Sequence, residues 1–351
     1  MAQIREGMEL KLDENDPTTG KITFKYPEMK SLDVLRDNMD QAIGFQSKLE
    51  RDLELEGRRE EYNGQFYEYV DNGVFPELSE QERMEWQGAV NYVVHHHVIK
   101  TTSQSTKLRI VSNSSMGNKR AGGVSPNQLW GKGADMLRPI IQCQCLLRGL
   151  HCVCVYDLKR AYNSVYTTPR EKHVRRMVWR RSSNEPWQIY CIDRMHFGDV
   201  PSSCGLEVAK EKTAEAGSYV CPESASQITL GYVDDGLGGG REELVEKMIG
   251  EEVFHPDGEI TYNGTVQKIM AHGGFTVKIM VRNGENREVV LEKFGGMVLG
   301  LRWDAARDKI IMRMPVNFSE KDRRSKSRKG PAVDMNTIGQ IEEVELTKEE
   351  L

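Results

Sequence analysis

The nine residues LHCVCVYDL, 150–158, limit what this chain can fold into more than any other stretch. They form an apolar run that stops on Asp157, the pattern of a strand buried in a sheet with a carboxylate at its end. A second run, QITLGYVDD at 227–235, ends on two adjacent aspartates, Asp234 and Asp235, just before a glycine-rich segment. Adjacent like charges repel. A solvated turn tolerates them, and a bound cation relieves them. Two strands that bring carboxylates to one end can hold divalent metals through hard oxygen ligands. Magnesium suits such a site because it keeps several waters and accepts substrate phosphates. Two ions about 3.5–4 Å apart activate an attacking hydroxyl and stabilise a leaving oxygen. From spacing alone, the structural turn and the metal site both stay open.

Around these runs the pattern mixes helices and strands. Residues 31–90 read as largely helical, with Ser31 as an N-cap before Leu35, Met39, Ala42 and Ile43, and with Ser79 and Glu82 as a capping box. YVVHHHVIK and TKLRIVSNSS, separated by TTSQS, read as a hairpin. A helix is predicted around 134–147, and others at 204–216 and 241–249. Further strands are predicted at 187–193, 227–234, 276–282, 286–291, 296–303 and 309–313. No strict βαβ rhythm emerges, so the expectation is a layered α+β architecture.

The chain has 351 residues, 29% of them charged, and a net charge of −5 that gives no global sign of nucleic-acid binding. No apolar run is long enough for a transmembrane helix, and MAQIREGMELKLDENDP lacks the apolar core of a signal peptide. Seven cysteines, an odd number without a secretory signal, point to a reduced compartment. The expectation is a cytoplasmic protein without a membrane partner. After residue 318, SEKDRRSKSRKGP is basic and IEEVELTKEEL acidic, so weak order or an incomplete module is expected.

YVDD resembles the metal-binding hairpin of reverse transcriptases, and further motifs follow that family in order. DLKRAY resembles its first catalytic motif. MHFGDVPSSCGLEVAK resembles the motif that supports template and incoming nucleotide, centred on Phe197 and Gly198. AHGGFTVKIMV and GGMVLGLRWD resemble the two palm motifs after the catalytic hairpin. HHHVIKTTSQSTKLRIVSNSS with GGVSPNQLWGKG is similar to the fingers of the Pao/BEL class of LTR retrotransposon polymerases. The resemblance spans 92–313, and the helical stretch from 31 is similar to the segment before those fingers.

The resemblance implies an α+β right-hand polymerase palm and fingers, with an antiparallel palm sheet backed by helices and a helical N-terminal segment. Residues 1–91 would lead into the fingers (92–150), followed by the palm (151–313) and a truncated, charged tail (314–351). It implies an RNA-directed DNA polymerase using two Mg²⁺ or Mn²⁺ ions. Its partners would be an RNA or DNA template with primer, deoxynucleoside triphosphates and other parts of a retrotransposon polyprotein, in virus-like particles. Asp157, Asp234 and Asp235 would be the catalytic, metal-binding residues. Tyr162 would lie under the sugar and exclude a 2′ hydroxyl. Arg109, Lys107, Leu158, Phe197, Gly198 and Lys278 would contact the nucleotide, and Tyr232 and Val233 the primer end.

The chain departs from the family in several places. Asn113 stands where an aspartate is usual and 251–265 looks like an insertion; the thumb is expected to be missing or partial. Protease, RNase H and integrase segments do not fit in this length. The alternative is a non-catalytic retrotransposon-derived remnant that binds nucleic acid or has no activity.

Other patterns admit two readings each. Eight Lys or Arg between Lys159 and Arg181, interleaved with Tyr162, Tyr166 and Trp179, suit a surface that tracks a nucleic-acid backbone, or a solvated basic face. Cys143, Cys145, Cys152 and Cys154 beside His151 could bind zinc, although small buried thiols are the preferred reading. Strand alternation separates His96 from His95 and His97, which favours a structural role. The glycines 238–240 read as a hairpin exit rather than a phosphate loop.

Overall fold

The computed structural model describes residues 2–99, 108–256, 258–285, 297–299, 301–312 and 344–346. The first part of the chain contains α1 (Ala2–Glu6), β1 (Met8–Leu12), β2 (Gly20–Phe24), α2 (Met39–Leu55), α3 (Arg59–Asp71) and α4 (Glu80–Glu85). Next come β3 (Val94–Ile99), β4 (Leu108–Asn113), α5 (Ile140–Gly149), β5 (Cys152–Leu158), β6 (Val165–Thr167) and α6 (Pro169–His173). Then follow β7 (Arg176–Trp179), β8 (Gln188–Cys191), α7 (Ser202–Ala216), α8 (Pro222–Ala225), β9 (Asp235–Gly240) and α9 (Glu242–Ile249). The remainder is β10 (Glu252–Phe254), β11 (Ile260–Tyr262), α10 (Thr265–Ala271), β12 (Val277–Arg282), β13 (Met297–Val298), β14 (Leu301–Asp304), β15 (Lys309–Met312) and β16 (Val344–Leu346). The result is a mixed α+β fold built from several small sheets.

The sheet that matters most has the order β12-β5-β9, with both neighbours antiparallel to β5. Because side chains alternate across a strand, β5 serves two cores. Cys152, Cys154, Tyr156 and Leu158 enter a core shared with Leu206 and Val208 of α7, Val245 of α9 and Ile269 of α10. Val153 and Val155 enter another with Cys143 and Leu147 of α5, Leu237 of β9 and Trp303 of β14. Burial on both faces is what the near-continuous apolar run anticipates. It also explains the thiols: Cys152 and Cys154 point the same way into core, and burial pushes the Cys154 thiol up to about 12.

The predicted strand at 227–234 is not formed. Residues 226–230 are turns; Ile228 sinks into one core while Leu230 and Tyr232 pack against the other. The Gln227 amide oxygen accepts the Gly239 N–H at 2.7 Å, doing with a side chain what a neighbouring strand would do. The strand instead begins at Asp235 and runs through the glycines, so 238–240 are strand interior and not a hairpin exit. Close approach explains two glycines of this strand, Gly236 and Gly239. A Cβ on Gly236 would lie 2.0 Å from the Tyr156 ring, and one on Gly239 would lie 2.5 Å from the Cys152 carbonyl oxygen.

The N-terminal segment is also not purely helical. β1 and β2 form an antiparallel hairpin, and β2 pairs in parallel with β6, Ile22 opposite Val165. Asp13 and Asp16 fix its turn by accepting the Asn15 and Thr18 N–H groups at 2.7 and 3.0 Å. Helix follows from Met39, while Ser31 caps only a single 3-10 turn at 32–34. Ser79 does accept the Glu82 N–H, at 3.1 Å, but the Glu82 carboxylate goes to Lys172 rather than back to the cap.

The β3–β4 hairpin forms, with residues 100–107 between the strands outside the described set. The helix expected over 134–147 begins at Ile140. The segment 251–265 contains the β10–β11 hairpin. The strand expected at 296–303 is two short ones, and the one expected at 286–291 lies outside the described residues. Within the tail, Val344–Leu346 pairs with β15.

Candidate active site: an aspartate cluster at the end of a three-stranded sheet

Register brings the aspartates together. Asp157 on β5 stands directly opposite Asp235 at the start of β9, so their side chains share one face of the sheet. Asp234 precedes it in a tight turn closed by two bonds, Tyr232 N–H to Asp235 O at 2.8 Å and Asp235 N–H to Tyr232 O at 3.0 Å. The Asp234 carbonyl accepts the Leu158 N–H at 3.3 Å, which ties the turn to the end of β5.

The electrostatics follow from this crowding. Burial, then the charge of Asp234, then that of Asp157 push the Asp235 carboxyl up to about 7. A backbone N–H from Leu299, on the β13–β14 turn, and the charge of Lys210 oppose that rise. Burial raises Asp157 as well, and Lys278 pulls it back. Lys278 Nζ stands 3.6 Å from Asp157 Oδ2. Arg109, exposed on β4, also acts on Asp157 and lowers its pKa. Carboxylates crowded at one sheet end, with Asp157 and Asp235 both raised by burial and by the charge of Asp234, offer the hard oxygen donors that a divalent cation prefers. Among the described residues, however, no three His, Cys, Asp or Glu side chains are gathered with the spacing of metal ligands.

The turn is strained, and a buried pair holds it. Val233 has φ +55°, a region that β-branched residues rarely adopt. Its carbonyl accepts a 2.8 Å hydrogen bond from Lys210 Nζ. Lys210 lies on α7, only 3% exposed at its side chain, and its Nζ is 2.8 Å from Glu207 Oε1 one turn earlier. Neither residue stands out in the sequence, where GLEVAKEK reads as an ordinary helical face. The only signal is the i,i+3 spacing of opposite charges.

The other expected residues fall into two groups. Tyr162 is buried in a 3-10 turn at 161–164, its ring 4.6 Å from that of Phe197, which is 47% exposed. Burial raises the Tyr162 phenol, with Ser203 as a hydrogen-bond partner and Asp234 near enough to act on it. Gly198 has φ +90°, and Asn127 Nδ2 donates to its carbonyl at 2.8 Å, so the SPNQLW loop supports the FGDV turn. Tyr232 and Val233 flank the aspartates as anticipated. Leu158 is different: its side chain is buried in core and its N–H is used by Asp234, leaving neither for a ligand. Lys107 lies outside the described residues.

The FGDV turn is anchored from below. Asp199 and Arg175 form an ion pair at 2.7 Å with both side chains fully buried. Tyr26 and Ser114 also donate to Asp199, at 3.0 and 2.5 Å. Arg175 completes its set on Thr167 Oγ1 and the Arg194 carbonyl. Burial without these partners would be prohibitive.

The run of eight basic residues is largely engaged by partners within the chain. Arg170 pairs with Glu28 and Asp33, Lys172 with Glu82, and Arg180 with Glu50. Lys159 pairs with Glu259 and Arg160 with Glu68. Arg181 stacks over the Tyr67 ring and Arg176 bonds His173. Its charge is spent largely on joining elements of the chain to one another. The histidines behave as structural groups: His95 is buried, bonds Tyr62, and is pushed down to about 3 by burial.

No protein-family model matches this chain. No curated protein matches it in sequence. Among solved structures, it is similar to a foamy viral protease–reverse transcriptase in complex with double-stranded DNA, at 14% identity and a TM-score of 0.36. The likeness covers 60% of this chain and 28% of that one, so this chain spans less than a third of that protein's length.

Proposed function

We propose that this chain is the palm and fingers of an RNA-directed DNA polymerase, of the Pao/BEL retrotransposon class that its motifs resemble. The supporting observation is the register that sets Asp157 opposite Asp235, with Asp234 in the adjoining turn. Asp157, Asp234 and Asp235 would hold two Mg²⁺ or Mn²⁺ ions, which when bound neutralise charge on the reacting phosphate. The protein's own task is then placement. The primer 3′ hydroxyl attacks the α-phosphate of a deoxynucleoside triphosphate in line, and pyrophosphate leaves. Tyr162, propped by Phe197, limits the sugar to one without a 2′ hydroxyl. Arg109 and Lys278 are both exposed and both act on Asp157, which supports a role for them in contacting the triphosphate. Tyr232 and Val233 bound the primer end.

One observation favours a second reading, that of a non-catalytic remnant: among the described residues the carboxylates are not gathered as a ligand set, and Lys278 sits against Asp157. Metal titration separates the two. Binding to the folded state alone stabilises it by about 2.7 kcal/mol at a hundred times the dissociation constant. The polymerase reading expects the melting temperature to rise with Mn²⁺ or Mg²⁺ in the natural sequence but not in Asp234→Asn. A folded protein whose melting temperature is indifferent to both ions would contradict it.

A further inference from the structure

Tyr166 on β6 presents each face of its ring to a cation: Lys21 Nζ is 3.3 Å from the ring centroid and the Arg194 guanidinium carbon 3.4 Å. Like charges are thus brought to one side chain from two separate places, β2 and the bridge residue after β8 that pairs with Tyr166. The three residues line a cleft of about 370 Å³ that also takes in Lys159, Arg160 and Asn163. Internal partners account for part of this charge. Glu259 and Glu68 pair with Lys159 and Arg160, and Asp193 Oδ1 is 3.3 Å from Arg194 Nε. Arg194 Nη1 donates to the Asn163 carbonyl at 3.2 Å. The Lys21 ammonium has no ion-pair or hydrogen-bond partner among the described residues, and its contact is the ring. Burial and the neighbouring Arg194 lower its pKa, and the charge of Asp193 opposes them. A group with three donors, held beside another cation in a concave site, is stabilised by an anion that reaches both.

The cleft begins two residues beyond Asp157, where the Lys159 N–H bonds the Thr276 carbonyl at 2.8 Å beside β12. The cleft thus adjoins, along the chain, the end of β5 that carries Asp157. We propose that the cleft around Tyr166 binds a backbone phosphodiester of the nucleic-acid strand engaged at the aspartate site, through Lys21 and Arg194. The identity of the strand rests on the polymerase reading; the anion chemistry of the cleft does not.

The test is binding of fluorescein-labelled oligo(dT), followed by anisotropy in EDTA without nucleotide across a salt series. Neutralising one phosphate contact with a single strand contributes about 0.7 to the slope of log affinity against log salt. Lys21 is exposed, so Lys21→Met should fold normally. Its slope should be shallower by about 0.7, with weaker binding at low salt. The exposed control Lys247→Met, on α9 and outside the cleft lining, should match the natural sequence. An unchanged slope in Lys21→Met, or no oligo(dT) binding by the natural sequence, would overturn the proposal. Pyrophosphate is the second probe, read by melting temperature. If Lys21→Met loses pyrophosphate stabilisation but keeps the oligonucleotide slope, the cleft takes a free anion and the strand assignment fails. Because these arms need neither metal nor turnover, they are independent of catalysis. Primer extension with an unchanged slope would fail the cleft alone, and a reduced slope without extension would fail the polymerase reading alone.

Discussion

At the scale of single residues, Asp235 sets the behaviour of the site. Its folded pKa of about 7 lies above the ordinary 3.8, so between these values the folded state holds a proton that the unfolded state has released. Stability contributed by that proton is complete at low pH and is lost as pH rises towards 7, because the unfolded state then binds fewer protons. Asp235→Asn should therefore stabilise the metal-free protein above about pH 7, by on the order of 2–4 kcal/mol, and change little near pH 4. Urea denaturation at several pH values in EDTA would show it, and a pH-independent effect would place the crowding elsewhere. The aspartates were legible because three carboxylates at the ends of apolar runs are conspicuous. Lys210, Leu299 and Asn127 were not legible. One acts through a buried ammonium in an unremarkable helix, one through a backbone N–H, and one through a loop amide. Leu158 illustrates the converse: the resemblance implied contact with the nucleotide, whereas its side chain is buried on the α7 side.

At the scale of elements, α7 and the aspartate turn form one device. Val233 stays in a left-handed conformation that costs about 1–3 kcal/mol, and Lys210 offsets this by holding its carbonyl. Removing one member of a buried ion pair costs about 3–5 kcal/mol, because the other is left charged and unpaired. Lys210→Met should destabilise by that order, and Lys210→Met with Glu207→Leu should recover part of it. Chemical denaturation of the two variants decides the matter; equal losses would mean that the pair is not coupled. The element that sequence pattern misplaced is the strand before the aspartates. Its apolar residues predict a strand equally well whether they pair in a ladder or fold into turns between two cores, and only the Gln227 contact to Gly239 distinguishes these. The glycines were misread for the opposite reason. Strand propensity disfavours them, yet at Gly239 the Cys152 carbonyl leaves no room for a larger residue.

At the scale of the molecule, the basic run and the N-terminal hairpin show how the parts are held. Arginines from the segment after β5 reach Glu28, Asp33, Glu50 and Glu68 of the first seventy residues, and β2 joins β6 by backbone pairing. Counting charge along a sequence cannot reveal this, because partners lie more than ninety residues away. The hairpin itself left a signal, alternation on either side of DENDPTTG, that was overshadowed by the helical pattern beginning at 31. The overall class, mixed helices and several small sheets, was legible from the irregular order of elements alone. The central claim is that the aspartate cluster at the end of β5 and β9 transfers nucleotides. Primer extension on poly(rA)–oligo(dT) with Mg²⁺ or Mn²⁺, beside Asp234→Asn, tests it most directly. Incorporation of dTMP by the natural sequence and none by the variant is the predicted result; no incorporation by either, with both proteins folded, would contradict it.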